Sequence, residues 1–258
     1  MATAEHDDVV VIGSGAGGGT LAWKLAPSGK RILLLERGGY LPRERDNWDT
    51  TAVFLQGKYS TNEEWRDRKG DDWDYPFGAI QMLGKSDGIQ LRAMAPRRVK
   101  WGAKLTPEAS LDTIALHGVD FWLSAEDLPR PDNRLPIDDD GTPRLALADE
   151  NNAEPLRRLR KRFQSMLTDL GMEEGTHRRN VYLHEGLAIS ATGHQAGTAR
   201  FGTDPTSSVL DTNCKAHELD NLYVVDLSFF VSTGAVNPTL TIIANALRVG
   251  EHLLERLG

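Results

Sequence analysis

The sequence predicts an α/β fold with a doubly wound parallel sheet. Two observations carry this. The first 36 residues read strand, glycine-rich turn, helix, strand, the order of a βαβ unit with its crossover helix. The last 20 or so residues read as one long amphipathic helix behind a strand-like run, which supplies a second helix to cover such a sheet.

Each N-terminal element has a local reason. Val9 to Ile12 is a short β-branched run, suited to a parallel strand buried on both faces. In "TLAWKLA" Leu21 and Leu25 are four apart, the spacing of one helix face. "PSGK" then breaks the helix, and "RILLLE" is read as a second buried strand ending in an acid, Glu36. Between the first strand and the helix, Gly13, Gly15 and Gly18 give the spacing G-x-G-x-x-G. The three glycines suit a tight turn, close approach of a pyrophosphate to the backbone, and close helix–strand packing. Glu36 lies 36 − 13 = 23 residues past Gly13, where an acid can meet a ribose hydroxyl. The motif in this setting points to a Rossmann-type dinucleotide site. NAD and FAD both use it, so the motif alone leaves the cofactor open.

Composition narrows the classes. The chain has 258 residues, 40% hydrophobic and 26% charged, with a formal net charge of -7. An acidic balance disfavours a nucleic-acid partner. A single cysteine, Cys214, excludes an intrachain disulfide and fits a reducing compartment. "MATAEHDD" has no basic segment leading into an apolar one, and no run approaches the ~18 apolar residues of a membrane span. The expectation is a cytoplasmic protein without membrane or metal partners.

Toward the C-terminus, "NLYVVD" is read as a buried strand ending in Asp226, and "SFFVSTGAVNP" as a loop. Leu240, Ile243, Leu247, Leu254 and Leu257 recur at helical spacing. Pro238 stands at the expected first helical position, where proline is well tolerated, so Asn237 lies beside a helix N-terminus. "GHQAGTARFG" sets His194 among small residues that admit a close backbone or ligand. Other histidines, His177 and His184, have no such setting and are read as solvent-facing. Cys214 is placed in a polar loop. "RRLRKRF", with Leu156, Leu159, Phe163, Met166 and Leu167, reads as an amphipathic helix with a solvated basic face.

The glycine-rich start, "GHQAGTARFG", "LDNLYVVDLSFF" and "VNPTLTIIANALR" together resemble the glucose–methanol–choline (GMC) flavoprotein oxidoreductases. "DFWLSAEDLPRPDNR" and "HQAGTARFGTDPTSSVLD" are similar to the bacterial pyranose oxidase-like and glycoside 3-oxidase branch. The resemblance implies FAD as cofactor and a Rossmann-type FAD-binding domain formed by residues 1–70 with 193–258. A smaller, partial α+β substrate-binding domain would be formed by residues 71–192. It implies that His194 faces flavin and substrate alcohol, that Asn237 completes the catalytic pair, and that Asp226 touches the cofactor. Cofactor contacts are expected at Gly13, Ser14, Gly15, Ala16, Gly18, Glu36, Arg37, Asp226, Asn237, Pro238 and Thr239. Strands in "FGAIQMLGKS" and "HGVDFWLSAED" would floor the substrate site, with Gln81 and Trp122 as substrate neighbours.

The chemistry suits the pair. Oxidising an alcohol removes a proton and a hydride. Imidazole can accept the proton near neutral pH, and an amide can hold the hydroxyl in line by a hydrogen bond. The expected substrate is a sugar or glycoside hydroxyl. The sequence departs from the family's pattern: Gly70 is followed directly by Asp71, where the family carries a long insertion with a flavin-covering "GG-x-[ST]" segment. The later strand ending in a small-residue turn is absent too, so the protein is either internally deleted or part of a larger one. A sheet lacking inner strands exposes edges and apolar faces, so pairing with a second copy, or weak FAD binding, is expected. Three functions compete: an FAD-dependent alcohol oxidoreductase, a flavin- or nucleotide-binding remnant without a closed site, and an NAD-dependent dehydrogenase. The His194/Asn237 pair argues against the third.

Overall fold

A computed structural model describes residues 6–40, 60–66, 72–76, 125–148, 153–171 and 194–258, with the single positions 49, 52, 56, 123 and 151. The sequence-expected substrate neighbours Gln81 and Trp122, the strand over residues 77–86, His177 and His184 lie outside the described residues.

The N-terminal βαβ unit forms as its pattern predicts. β1 (Val9–Ile12) and β2 (Ile32–Leu35) pair in parallel, Val9 opposite Ile32 and Ile12 opposite Leu35. α1 (Ala16–Leu25) joins them and buries Gly17, Leu21 and Leu25. A 3-10 turn over Ala26–Ser28 follows, and Gly29 closes it at φ +74, a left-handed conformation that glycine adopts without steric cost. The strands differ from their expected burial. Only Val11 is buried in β1, Ile12 is 84% exposed, and Leu33, Leu34 and Leu35 are exposed. Among the described residues this sheet has two strands, so the side chains that a wider sheet would cover face outward.

Two further strands, β3 (Ser60–Arg66) and β4 (Asp72–Pro76), pair antiparallel with Trp65 opposite Trp73. They stand on either side of the expected domain boundary at Gly70/Asp71. α2 (Ala153–Asp169) forms where the basic amphipathic pattern places it. It has no buried residue, and Leu156, Leu159 and Met166 are exposed along with the basic side chains. Phe163 and Leu167 on its apolar face are half-buried.

The chain closes with α3 (Thr239–Leu257). Its buried face differs from the leucine stripe. Ile242, Ala246, Val249, Gly250 and Leu253 are buried, while Leu240 is 80% exposed. The reason is close approach to α1: a Cβ on Gly250 would lie 2.6 Å from Lys24 Cγ and 3.4 Å from Leu21 Cδ1. Small residues set this crossing, and a count of leucines passes over them. Lys24 Nζ adds a bond to Glu251 Oε1 at 3.1 Å. Lys30 Nζ donates to the Leu257 carbonyl at 2.7 Å, placing a cation at the negative end of α3.

The core joins both ends of the sequence. Leu21 and Leu25 of α1, Val249 and Leu253 of α3, and Leu210, Cys214, Ala216 and Phe229 between them form one buried cluster. Val9 and Ile32 of the sheet pack against it. Cys214 is thus a core residue rather than part of a polar loop. Its thiol is pushed up from its ordinary pKa by burial, beside Asn245 and Arg248.

"NLYVVD" does not form a strand. Residues 223–225 are half-buried, Tyr223 makes one antiparallel bridge to Lys215, and Val224 N donates to Cys214 O at 3.0 Å. The segment pairs with the tight turn at residues 211–216 instead of a full strand, so one bridge is all it extends to.

Candidate active site

The glycine turn is built by the jobs its residues perform. Gly13 takes φ +88, and its N–H donates to the Leu35 carbonyl at 2.7 Å, which ties the turn to the end of β2. Gly18 has no room for a side chain, because a Cβ there would overlap the Gly13 carbonyl and press on Val11 Cγ1 at 3.2 Å. Gly15 is different: nothing lies within 4 Å of where its Cβ would be. That open space beside the helix start is where a ligand backbone can approach. α1 begins without a capping side chain and without an acid in its first turn, so its leading N–H groups remain for an anion. The residues present therefore fit a dinucleotide pyrophosphate.

Glu36 is oriented from two sides. Its Oε2 accepts from Ser14 N and Ser14 Oγ, both at 2.7 Å, and its Oε1 accepts from Gly38 N at 2.7 Å. These donors favour the ionised form and lower its pKa from 4.5 to about 2, with the Ser14 hydroxyl contributing most. The acid expected to meet a ribose is thus held charged at the edge of the glycine turn. Ala16 opens α1, and Arg37 follows Glu36 on the exposed rim.

A contact not anticipated from the motif joins this turn to the C-terminal region. Gly17 is buried, and a Cβ on it would overlap the Val225 carbonyl and lie 3.3 Å from Asp226 Cα. Asp226 is thereby set against the N-terminal end of α1. Its Oδ1 accepts from Ser228 N at 2.8 Å and caps the 3-10 turn Leu227–Phe229. The sequence carried a signal for Gly17: "GAGGG" holds more glycines than G-x-G-x-x-G needs.

From Asp226 the chain runs to the head of α3 and gathers two other segments on the way. The stretch after His194 straps onto it, with Ala199 N donating to Ser228 O at 3.0 Å and Phe201 N to Phe229 O at 3.2 Å. Gly197, at φ +84, brings its backbone against Phe230 O, 3.3 Å from where a Cβ would stand. The small residues around His194 thus serve a close backbone approach. Farther along, Asp127 and Thr233 exchange two backbone bonds of 2.9 Å, and Ser232 Oγ donates to Glu126 Oε1 at 2.6 Å.

His194 is half-buried at the start of the strap. Asn237 is exposed, immediately before α3. Pro238 takes the N-cap position with helical φ and ψ, one residue earlier than the expected first helical position, and Thr239 begins the helix. The proline carbonyl already accepts from Ile242 N at 3.0 Å, which is why the cap falls on it. α3 has no side-chain cap and no acid in its first turn, so its positive end is also open to an electron-rich group.

Comparison with known proteins shows what two parts of the chain are similar to. Residues 129–246 match the GMC oxidoreductase family model. That match contains His194, Asp226 and Asn237. Residues 11–47 match the NAD(P)-binding Rossmann-like domain, which contains the glycine turn and Glu36. The 6'''-hydroxyparomomycin C oxidase of Streptomyces lividus is 35% identical over 139 residues, covering 51% of this chain and 24% of the relative. The paromamine 6'-oxidase of Streptomyces fradiae is 34% identical over 126 residues, 47% of this chain and 23% of the relative. The fructose dehydrogenase large subunit of Gluconobacter japonicus is 28% identical over 160 residues, 60% of this chain and 28% of the relative. The chain spans about a quarter of the length of these curated relatives. Among the described residues no helix is long and apolar enough to cross a membrane.

Proposed function

We propose that this chain is an FAD-dependent oxidoreductase acting on CH–OH groups, and that it oxidises a sugar or glycoside hydroxyl to a ketone. One observation carries the reading. The run from Asp226 to Pro238 begins against the glycine turn, carries the strap from His194 along its middle, and ends at Asn237 on the head of α3. The family match over residues 129–246 and the three oxidising relatives, one named for a sugar, support it.

Gly13, Ser14, Gly15, Ala16 and Gly18 would hold the pyrophosphate at the start of α1, with Glu36 toward the adenosine ribose and Arg37 on the rim. Asp226 would touch the cofactor beside the glycine turn, and Asn237, Pro238 and Thr239 would hold its flavin end. The flavin, when bound, supplies the acceptor for the substrate hydride. His194 takes the hydroxyl proton as general base. Asn237 orients the hydroxyl through its amide, which hydrogen-bonds without titrating. The open N-terminus of α3 favours negative charge beside it. Gln81 and Trp122 remain our proposed substrate neighbours. The substrate is a small molecule, and the protein works in the cytoplasm without nucleic-acid, membrane or metal partners.

A second reading, a flavin- or nucleotide-binding fragment with impaired catalysis, is favoured by the exposed sheet residues among those described. It also accommodates self-association through that sheet. The visible spectrum of the purified protein separates the two. Flavin absorption bleached anaerobically by a sugar or glycoside supports the enzyme; flavin absorption that no such substrate bleaches, or a colourless protein, supports the fragment.

A further inference from the structure

We propose that Ser14 is a positioning residue for Glu36: its N–H and hydroxyl together fix the carboxylate in the orientation that meets a ribose hydroxyl of a bound nucleotide. The proposal rests on the dinucleotide reading of the glycine turn. Ser14 gives two hydrogen bonds to Oε2 and Gly38 N gives one to Oε1, with the Arg37 backbone N–H as a weaker further donor. Both carboxylate oxygens are therefore anchored, and the group cannot rotate without breaking bonds on each side.

The anchoring is local and cheap in conformational terms. Gly38 turns its N–H back onto Glu36 because it has no side chain; a Cβ there would lie 3.2 Å from Oε1. Ser14 stands between Gly13, fixed at φ +88, and Gly15, the residue with open space beside it. The hydroxyl at position 14 thus links the pyrophosphate turn to the ribose acid. Glu36 is exposed, and a solvated, unanchored carboxylate would sample rotamers that face away from a ligand. Holding it beforehand reduces the ordering that binding must impose.

The experiment uses the full chain, with ADP and 2′,3′-dideoxy-ADP as calorimetric probes and the Glu36 carboxyl carbon as an NMR reporter in the ligand-free protein. Ser14→Ala should bind ADP about tenfold more weakly, the scale of one hydrogen bond to a charged group. It should weaken dideoxy-ADP binding less than ADP binding and move the Glu36 titration from about 2 back toward its ordinary value. Ser14→Thr keeps a hydroxyl and should restore both. If Ser14→Ala weakens both probes alike, or neither, the positioning role is wrong. Gly15→Val separates the underlying reading: if it binds ADP as the native chain does, or if the native chain binds no ADP, the dinucleotide site itself is wrong and the proposal falls with it.

Discussion

The glycine turn and the His194–Asn237 region are assembled in different ways. The turn is made by residues 9–38, mostly through backbone conformation: a left-handed Gly13, a Gly18 with no room for a side chain, and a carboxylate tied to Ser14 and Gly38. The second region has no such local code. It exists because residues 194–201 strap onto residues 228–230 and because residues 126–127 bridge to residues 232–233. A motif that encodes its own geometry keeps it wherever the strand and helix form. A site built from distant segments is only as ordered as the packing that holds them. Gly17 on Val225 is the point at which the two regions meet.

The largest expected effect is at the proposed base. His194→Ala should slow anaerobic flavin reduction by about 10²–10⁴-fold, roughly 3–5 kcal/mol of barrier, while flavin content stays as in the native protein. Stopped-flow reduction by a panel of sugars and glycosides reads this out. A variant as fast as the native protein would make the histidine structural, and only the glycine turn would keep a functional assignment.

Two glycines only two residues apart, Gly15 and Gly17, should behave oppositely. Gly17→Val places branched bulk on the Val225 carbonyl, an overpacking cost of about 1–3 kcal/mol or more, and should lower Tm while loosening the C-terminal region. Gly15→Val has open space beside it, so it should leave Tm nearly unchanged and abolish flavin retention, because the side chain fills the space a pyrophosphate needs. Equal Tm losses in the two variants would erase the distinction between a packing glycine and a ligand glycine.

Asn237 comes next. Asn237→Leu is close in size but cannot hydrogen-bond, and should lose roughly 1–3 kcal/mol of oriented contact with the substrate. Asn237→His should retain a measurable share of the reduction rate. Both should load flavin, since the N–H groups at the head of α3 are backbone groups. Identical rates for Asn, His and Leu would dissolve the proposed pair with His194.

The smallest effect is electrostatic. Glu36 is held to about 2 by Ser14 and Gly38. A depressed carboxylate stabilises the fold above its unfolded pKa of 4.5, and that contribution is lost as pH falls through about 2. The difference in urea midpoint between native protein and Glu36→Gln should be constant near neutrality and shrink between those two values. Because Glu36 is exposed, the difference is small; a difference that grows on acidification would contradict the assigned hydrogen bonds.

Much of the N-terminal unit was legible because its determinants are local. Val9–Ile12, the glycine spacing, Leu21 and Leu25, and the break at "PSGK" all became the elements they predict. The buried face of α3 is shifted from the leucine stripe: Ala246 and Gly250 are buried, Leu254 and Leu257 are half-buried against the core, and Leu240 is exposed. "NLYVVD" was read as a strand on β-branched composition, but a strand needs a partner, and residues 211–216 offer it a single bridge. Cys214 has a polar sequence neighbourhood, yet it lies in the core because its neighbours in space are Leu210, Ala216 and Phe229.

By itself, the sequence determined the strand–turn–helix–strand order, the glycine spacing, the position of Glu36 and the length of the final helix. Each of these follows from φ/ψ preference or side-chain period within a few residues. The tertiary structure decided the rest: that Gly17 carries the backbone of Val225, that Asp226 lies at the start of α1, and that the strap from His194 lies along the run leading to Asn237. It also decided which face of α3 is buried and which sheet residues stay exposed. These depend on contacts between residues more than two hundred positions apart, as between Gly17 and Val225. Local preference and side-chain period cannot specify such contacts; they form only where packing brings the segments together.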